Sequence, residues 1–310
     1  MPGAALHGTP GSVASIRTEL SDMNDPHLTA AISPAMLICG RHRLLLDRPV
    51  VMGVLNVTPD SFSDGGRFLD PSAALDHARR MIEDGADIID VGAESTRPGA
   101  APTPEREELQ RVVPLVEKIA ALGVPVSADT RKPAVMRAAI AAGATMINDV
   151  SALRAPGALE AVAGAETPVA VCLMHMQGEP ATMQQSAVYG DVVYEVKQFL
   201  ADCAVACEAA GIVRERIVVD PGFGFGKTVE HNLTLLRRLS EIVALGYPVL
   251  VGLSRKSTIG ALTGHDVGER TAGSIAAALA AVARGAKIVR AHDVREMVDA
   301  LKVWCALQSG

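Results

Sequence analysis

Four side chains of complementary hydrogen-bonding type, Asp129, Asn148, Asp220 and Lys256, each fall at the end of a different short Val/Ile-rich run. Brought together, two carboxylates, an amide and an ammonium can donate and accept in one plane. Such a set suits a flat heterocycle with several ring nitrogens. A second group, Asn56, Thr96, Arg97, Arg290 and His292, is neutral or cationic and suits a polyanion. Asn56 supplies a hard oxygen of the kind that holds Mg2+ alongside phosphate oxygens and waters. Asp90, Glu94, Asp149, His175, Ser254 and Arg255 also sit at run ends. Capping accounts for one or two such residues. Charges inside or just after apolar runs would be buried and would need partners, so together they mark a functional rim.

Several local motifs carry less. PGFGFGKT at 221–228 has the look of a phosphate-binding loop, but the pattern GxxxxGK[ST] needs Gly where Pro221 stands. Gly252-Leu-Ser254 lacks the second Gly of a nucleophile elbow, so an acyl-transfer serine is not expected. His175, between Met174 and Met176, has no second histidine nearby and reads as pocket lining rather than a metal ligand. The acidic residues at 105–108 open a helix and complement its dipole. Cys203 and Cys207 lie one helical turn apart in an Ala-rich stretch and read as packing residues, because two ligands rarely hold a zinc.

The elements that must position the rim follow from the apolar pattern. Eight runs, at 50–57, 86–92, 124–130, 145–150, 168–175, 216–222, 247–254 and 286–292, alternate with helical stretches at 71–84, 105–122, 132–142, 190–210, 229–245, 269–284 and 295–307. Near-continuous apolar strands separated by helices predict a parallel sheet covered on its outer side. Eight such units close into a (β/α)8 barrel, whose active site lies at the C-terminal ends of the strands. An open doubly wound sheet would want a GxGxxG turn after its first strand, and that turn is absent. Residues 37–49 alternate around a Gly and predict a short N-terminal hairpin.

Composition sets the outer bounds. The 310 residues are 49% hydrophobic, too apolar for disorder, yet no stretch reaches the roughly 20 unbroken apolar residues of a membrane helix. With 29 basic against 35 acidic side chains the net charge is −6, and only five Phe, three Tyr and one Trp are present. Neither a basic surface nor a stacking surface for nucleic acid is therefore expected. Five cysteines without a CxxC pair, and no secretory segment, point to the cytoplasm. Residues 1–34 show no apolar period and are expected to be a disordered extension ahead of a barrel domain at 35–310.

Longer segments carry a family resemblance. MGVLNVTPDSFSDGG (52–66) and VGAESTRPGA (91–100), followed by DT at 129–130, INDVS at 147–151, LMHMQGEP at 173–180, DPGFGFGKT at 220–228, GLSRKSTIG at 252–260 and RAHDV at 290–294, resemble the signature segments of the dihydropteroate synthases. The resemblance covers roughly residues 36–308 and implies the same barrel. It implies condensation of 7,8-dihydropterin-6-ylmethyl diphosphate with p-aminobenzoate to give 7,8-dihydropteroate and diphosphate. It further implies that Asp129, Asn148, Asp220 and Lys256 hold the pterin, with Thr96, Met174 and Arg290 beside them. Asn56 would bind Mg2+, and Asn56, Thr96, Arg97, Arg290 and His292 the diphosphate. Two mobile family loops correspond to residues 60–66 and 95–98. Phe62, Asp64, Pro98, Phe225 and Ser257 would shape a p-aminobenzoate pocket where sulfonamides compete. Asp129, Asp220, Lys256, Arg290 and His292 are the implied catalytic set, and a homodimer is implied as well.

Two positions depart from the family pattern. Ala93 stands where a second Gly is usual, and Arg131, where Ser is common, reads as a solvated rim residue. Two rivals share the fold: a pterin-binding barrel that passes a methyl group to a corrinoid, and a non-catalytic pterin-binding paralogue. The first has no use for a diphosphate clamp, and the second should have lost part of it.

Overall fold

The computed structural model describes residues 36–57, 71–94, 102–178, 183 and 187–308. The expected extension at 1–34 lies outside them. Two short strands, β1 (Met36–Cys39) and β2 (His42–Leu45), pair antiparallel as the predicted hairpin. Eight further strands form one parallel sheet: β3 (Val50–Asn56), β4 (Ile88–Gly92), β5 (Val126–Asp129), β6 (Met146–Asp149), β7 (Ala170–Met174), β8 (Ile217–Asp220), β9 (Leu250–Val251) and β10 (Ile288–Ala291). Their spatial order is β8-β7-β6-β5-β4-β3-β10-β9. A parallel bridge between Val219 and Val249, with Val219 N–H donating to Pro248 O at 3.0 Å, joins the two ends. The (β/α)8 barrel expected from periodicity is thus formed.

The seam between β8 and β9 is thin for a local reason. Pro248 has no N–H to give to a ladder, so the predicted run 247–254 keeps only Leu250–Val251 as strand. Outside the barrel lie α1 (Pro71–Glu83), α2 (Glu105–Ala120), α3 (Pro133–Ala141), α4 (Ala158–Ala163), α5 (Val192–Ala209), α6 (Val229–Arg237), α7 (Leu239–Val243), α8 (Ser257–Thr263), α9 (Thr271–Val282) and α10 (Val294–Gln308). Six-residue α4 escapes a periodicity reading because it spans less than two turns. The predicted helix at 229–245 is divided at Arg238, whose backbone (φ −104°, ψ 22°) leaves the helical region. Start signals are local: Asp191 caps α5 by accepting from Val193 and Tyr194 N–H, and Thr228 with His231 forms a capping box on α6. Cys203 and Cys207 on α5 are buried in the helix–sheet core, and none of the five cysteines is in a disulfide.

Inside the barrel the floor is apolar. Val50, Met52, Ile88, Met146, Cys172, Val218, Leu250 and Ile288 pack in one buried cluster with Leu37, Cys39 and Leu46 from the hairpin segment. The hairpin therefore stops the N-terminal mouth of the barrel. Side chains two apart on a strand share a face, so the next inward step above this floor is Asp90, Asn148, Met174, Asp220 and Arg290. One register places an apolar layer below and a polar layer above. Leu37 is fully buried in the floor. Leu37→Ala should leave a cavity there and cost about 2–5 kcal/mol of unfolding free energy. Urea unfolding of the variant measures it, and a loss near zero would show that the hairpin does not seal the barrel.

Candidate active site

Arg290 on β10 is the centre of the polar layer. Its Nε donates to Asp90 Oδ2 at 2.7 Å and its Nη2 to Asp129 Oδ2 at 2.8 Å, so β4, β5 and β10 are tied by one guanidinium. Asn148 Nδ2 on β6 donates to the same Asp90 Oδ2 at 3.1 Å. Burial opposes the charge on Arg290, but Asp90 and Asp129 outweigh it and hold the guanidinium protonated. Burial pushes the Asp129 carboxyl up to about 7 against the pull of Arg290. Asp90 is fully buried, and its Oδ1 has no hydrogen-bond partner, leaving an open acceptor in the layer. Sequence reasoning placed Asp90 on the rim but gave it no role. The available signal was a carboxylate in mid-strand, in IIDVG, two residues beyond Ile88.

Asp220 ends β8, and its Oδ1 accepts the Gly222 N–H at 2.7 Å. Burial raises its pKa, opposed by that bond and by Lys256. Lys256 Nζ lies 4.1 Å from the centre of the Phe225 ring, a cation–π contact, and burial together with Arg290 lowers it to about 8. Met174, Val150, Met176 and Met183 form a small apolar cluster against which Phe225 packs. The structure therefore brings Asp129, Asn148, Met174, Asp220, Lys256, Phe225 and Arg290 into one connected region. Ser257 stands exposed at the start of α8, one residue beyond Lys256.

His292 follows β10. Its backbone N–H donates to Ser254 Oγ at 3.2 Å, and its Nδ1 lies 3.0 Å from the same oxygen. Burial, with Arg290 and Arg255 nearby, pushes the imidazole down to about 3. Near neutral pH it is a neutral hydrogen-bond donor, not a cation. With Ser254 Oγ already accepting the backbone N–H, its hydroxyl can donate to Nδ1, which leaves Nε2–H as the free donor. Asn56 ends β3 and is partly exposed. Thr96, Arg97, Pro98, Phe62 and Asp64 lie outside the described residues.

The lysine of PGFGFGKT does not face a phosphate. Lys227 is buried, and its Nζ donates to Gly222 O and Phe225 O at 3.0 Å and to His175 O at 3.3 Å, with His175 Nδ1 at 2.9 Å. It acts as an internal hydrogen-bond donor inside the loop that follows β8, and burial lowers its pKa to about 7. Gly222 (φ +68°) is required there: a Cβ would sit 1.9 Å from His175 O. Burial and Lys227 lower His175 to about 3, which fits a structural partner and not a metal ligand.

Three expectations need correction. Arg131 is not simply solvated: its Nε donates to Glu94 Oε1 at 3.0 Å, and Lys132 also pairs with Glu94. Glu108 does more than face a helix dipole. It is fully buried and pairs with Lys132 and the Thr130 hydroxyl, a cluster that burial makes obligatory. Asp149 leaves the rim altogether, accepting Ser151 and Leu153 N–H at 2.7 and 2.8 Å to close the turn after β6.

Residues 52–292 match the family model described as pterin binding enzyme. A dihydropteroate synthase of Neisseria meningitidis serogroup C is 53% identical over 272 residues, covering 86% of this chain and 96% of that protein. Among solved structures, Xanthomonas albilineans dihydropteroate synthase with 4-aminobenzoic acid superposes with a TM-score of 0.84 at 53% identity, covering 90% of this chain and all of that one. Yersinia pestis dihydropteroate synthase in a sulfonamide drug complex gives 0.85 at 48% identity, covering 89% and 100%. The fold and the match define a pterin-binding barrel. The chain belongs to this pterin binding enzyme family and, within it, to the dihydropteroate synthases, a class of transferases.

Asp129, at the end of β5 and bonded to Arg290, generates a test. A carboxyl raised to about 7 is increasingly protonated in the folded free enzyme as pH falls from 8 to 5.5, and one of its two acceptor oxygens then becomes a donor. On the pterin-accepting role proposed below for Asp129, pterin affinity should fall over that window, while both buried histidines stay neutral throughout. Asp129→Asn should bind pterin more weakly and flatten this limb. Calorimetric titrations at several pH values measure it, and an unchanged slope in the variant would assign the limb elsewhere.

Proposed function

We propose that this chain condenses 7,8-dihydropterin-6-ylmethyl diphosphate with p-aminobenzoate, releasing diphosphate. The observation that carries the reading is the polar layer itself. Asp90, Asp129, Asn148 and Arg290 are joined by hydrogen bonds above an apolar floor, with Asp220 and Lys256 completing a ring of donors and acceptors. Asp220 has an oxygen beyond the one that accepts Gly222 N–H, and this would accept from the amino-pyrimidine edge of the pterin. Asp129 and Asn148 would take the rest of the ring, and the Met174 cluster its face.

In the reaction the methylene C–O bond breaks, and its electron pair leaves with the diphosphate. The aniline nitrogen then attacks the methylene carbon and gives its proton to solvent. Positive charge developing on the pterin methylene would be favoured by the Asp129 and Asp220 carboxylates. His292 Nε2–H and the one Arg290 nitrogen not bound to a carboxylate would donate to the departing anion, with Arg97 and Thr96. No protein nucleophile is required. Phe225 and Ser257, with Phe62, Asp64 and Pro98, would receive p-aminobenzoate, and a sulfonamide would compete there, as the ligands of the Xanthomonas and Yersinia relatives support.

The reading includes Mg2+. Among the described residues no group of three or more His, Cys, Asp or Glu side chains could hold a metal. One neutral oxygen from Asn56 fits a hard cation whose other ligands are diphosphate oxygens and waters. When bound, Mg2+ would neutralise charge on the leaving group. The proposal also takes the enzyme as cytoplasmic and homodimeric; five cysteines without a disulfide suit a reducing compartment, and light scattering tests the dimer.

Diphosphate release, measured with and without p-aminobenzoate, tests the function. Aniline-dependent release of one diphosphate per dihydropteroate is expected, and a corrinoid methyltransferase or a non-catalytic binder would give none. Metal-stripped enzyme should lose this activity with an unchanged Tm, whereas full turnover in excess chelator would remove Asn56 as a metal ligand. Asp220→Asn replaces an acceptor with a donor facing the amino-pyrimidine edge. Since one hydrogen bond to a charged group contributes about 1.5–3 kcal/mol, pterin affinity should fall at least tenfold by calorimetry. Unchanged affinity would place Asp220 outside the pocket.

A further inference from the structure

The ladder between β9 and β10 is only two residue pairs long, Leu250 with Ile288 and Val251 with Val289. Both pairs lie before the polar ends of the strands, so the backbone does not itself fix how Lys256 and His292 stand relative to each other. Side chains do that instead, in two successive steps. Ser254 Oγ accepts the His292 N–H and touches Nδ1. One residue further on each segment, Arg255 and Asp293 form a two-pronged ion pair, Nε to Oδ2 at 3.1 Å and Nη2 to Oδ1 at 2.5 Å. Paired forks of this kind restrict orientation as well as distance.

Arg255 holds this place at a backbone cost. Its φ is +57°, a left-handed conformation that a side chain with a Cβ disfavours. Its own backbone groups are taken up by surrounding elements: its N–H donates to Ser274 Oγ at 2.9 Å, and its carbonyl accepts Arg270 Nη1 at 3.2 Å. Asp293 Oδ2 also accepts the Thr271 hydroxyl at 3.2 Å, so the ion pair is anchored to α9. The chain reverses at Arg255, and the next residue, Lys256, reaches the Phe225 ring.

We propose that Asp293 is a positioning residue: by holding Arg255 in its left-handed turn it sets the separation of Lys256 and His292. The role assigned to those two residues rests on the function proposed above. The side chains of Asp293 and Arg255 are 18% and 30% exposed, so solvent screens the pair only in part. Its loss should therefore be felt at the site before it is felt by the fold. Strain that persists because surrounding contacts over-determine it is most often found where geometry serves a site.

The test compares Asp293→Asn with Asp87→Asn. Asp87 forms a similar two-pronged pair with Arg48, next to the N-terminal ends of β3 and β4 and separated from the polar layer by the floor residue Ile88. Two readouts are taken: titration with inorganic diphosphate in the presence of Mg2+, and the imidazole 15N signals of His292. Asp293→Asn should weaken diphosphate binding about tenfold and move the His292 signals toward a mixture of tautomers. Asp87→Asn should do neither, even if its Tm falls as far. Arg255→Gly, which suits φ +57° without a Cβ, should keep the Tm near that of the parent and still show both effects. Unmoved His292 signals in Asp293→Asn, or an equal diphosphate loss in Asp87→Asn, would overturn the proposal. Should the parent chain neither bind diphosphate nor release it, the function would fall, and the His292 signals would still judge the brace.

Discussion

A guanidinium buried between two carboxylates governs this molecule. Arg290 cannot be desolvated without partners, and Asp90 with Asp129 supplies them from two neighbouring strands. Burial, and secondarily the nearby Asp90 carboxylate, push the Asp129 carboxyl up to about 7 against the pull of Arg290. A substrate that delivers hydrogen-bond donors and then develops positive charge favours the ionised form. Electrostatics of the polar layer and chemistry of the proposed reaction thus point in the same direction.

The strand period makes this layer possible. In a closed barrel each inward position is committed to the interior, so an apolar residue two places before a polar one converts the strand from floor to site within one step. Hairpin residues Leu37 and Cys39 complete the floor from below. Above it, loops are fixed by internal donors and ions more than by secondary structure. Lys227 gathers three carbonyls in the loop after β8, Lys132 joins Glu94 and Glu108 near the ends of β4 and β5, and Arg255 joins Asp293 after β10. Each is at least partly buried, so each has a strong requirement for its partners.

Much of this was legible in residue order. Alternating apolar runs and helical stretches specify the barrel, because parallel strands buried on both faces must be apolar and must be joined by helices. Polar residues ending those runs identify Asp129, Asn148, Asp220, Lys256, Arg290 and His292, because the strand ends of such a barrel converge on one mouth. The Pro at 221 sufficed to reject a nucleotide-binding loop, although it did not reveal what Lys227 does. Thr96 and Arg97 rest on residue type and family resemblance, and the loop residues near 62 on resemblance alone.

The sequence by itself therefore determined the fold, the face on which the site lies and most of the residue types within it, since these depend on local period and on chemistry carried residue by residue. Only the tertiary structure decided which charges are partners. Arg290 and Asp90 are 200 residues apart, and Arg131 finds Glu94 across 37. Strand period sets Asp90 on the inward face and Asp149 on the other, but only the fold shows that the first binds an arginine and the second closes a turn. Pairing depends on strand neighbours and on distances of a few ångströms, which closure of the barrel sets and the order of residues along a chain does not.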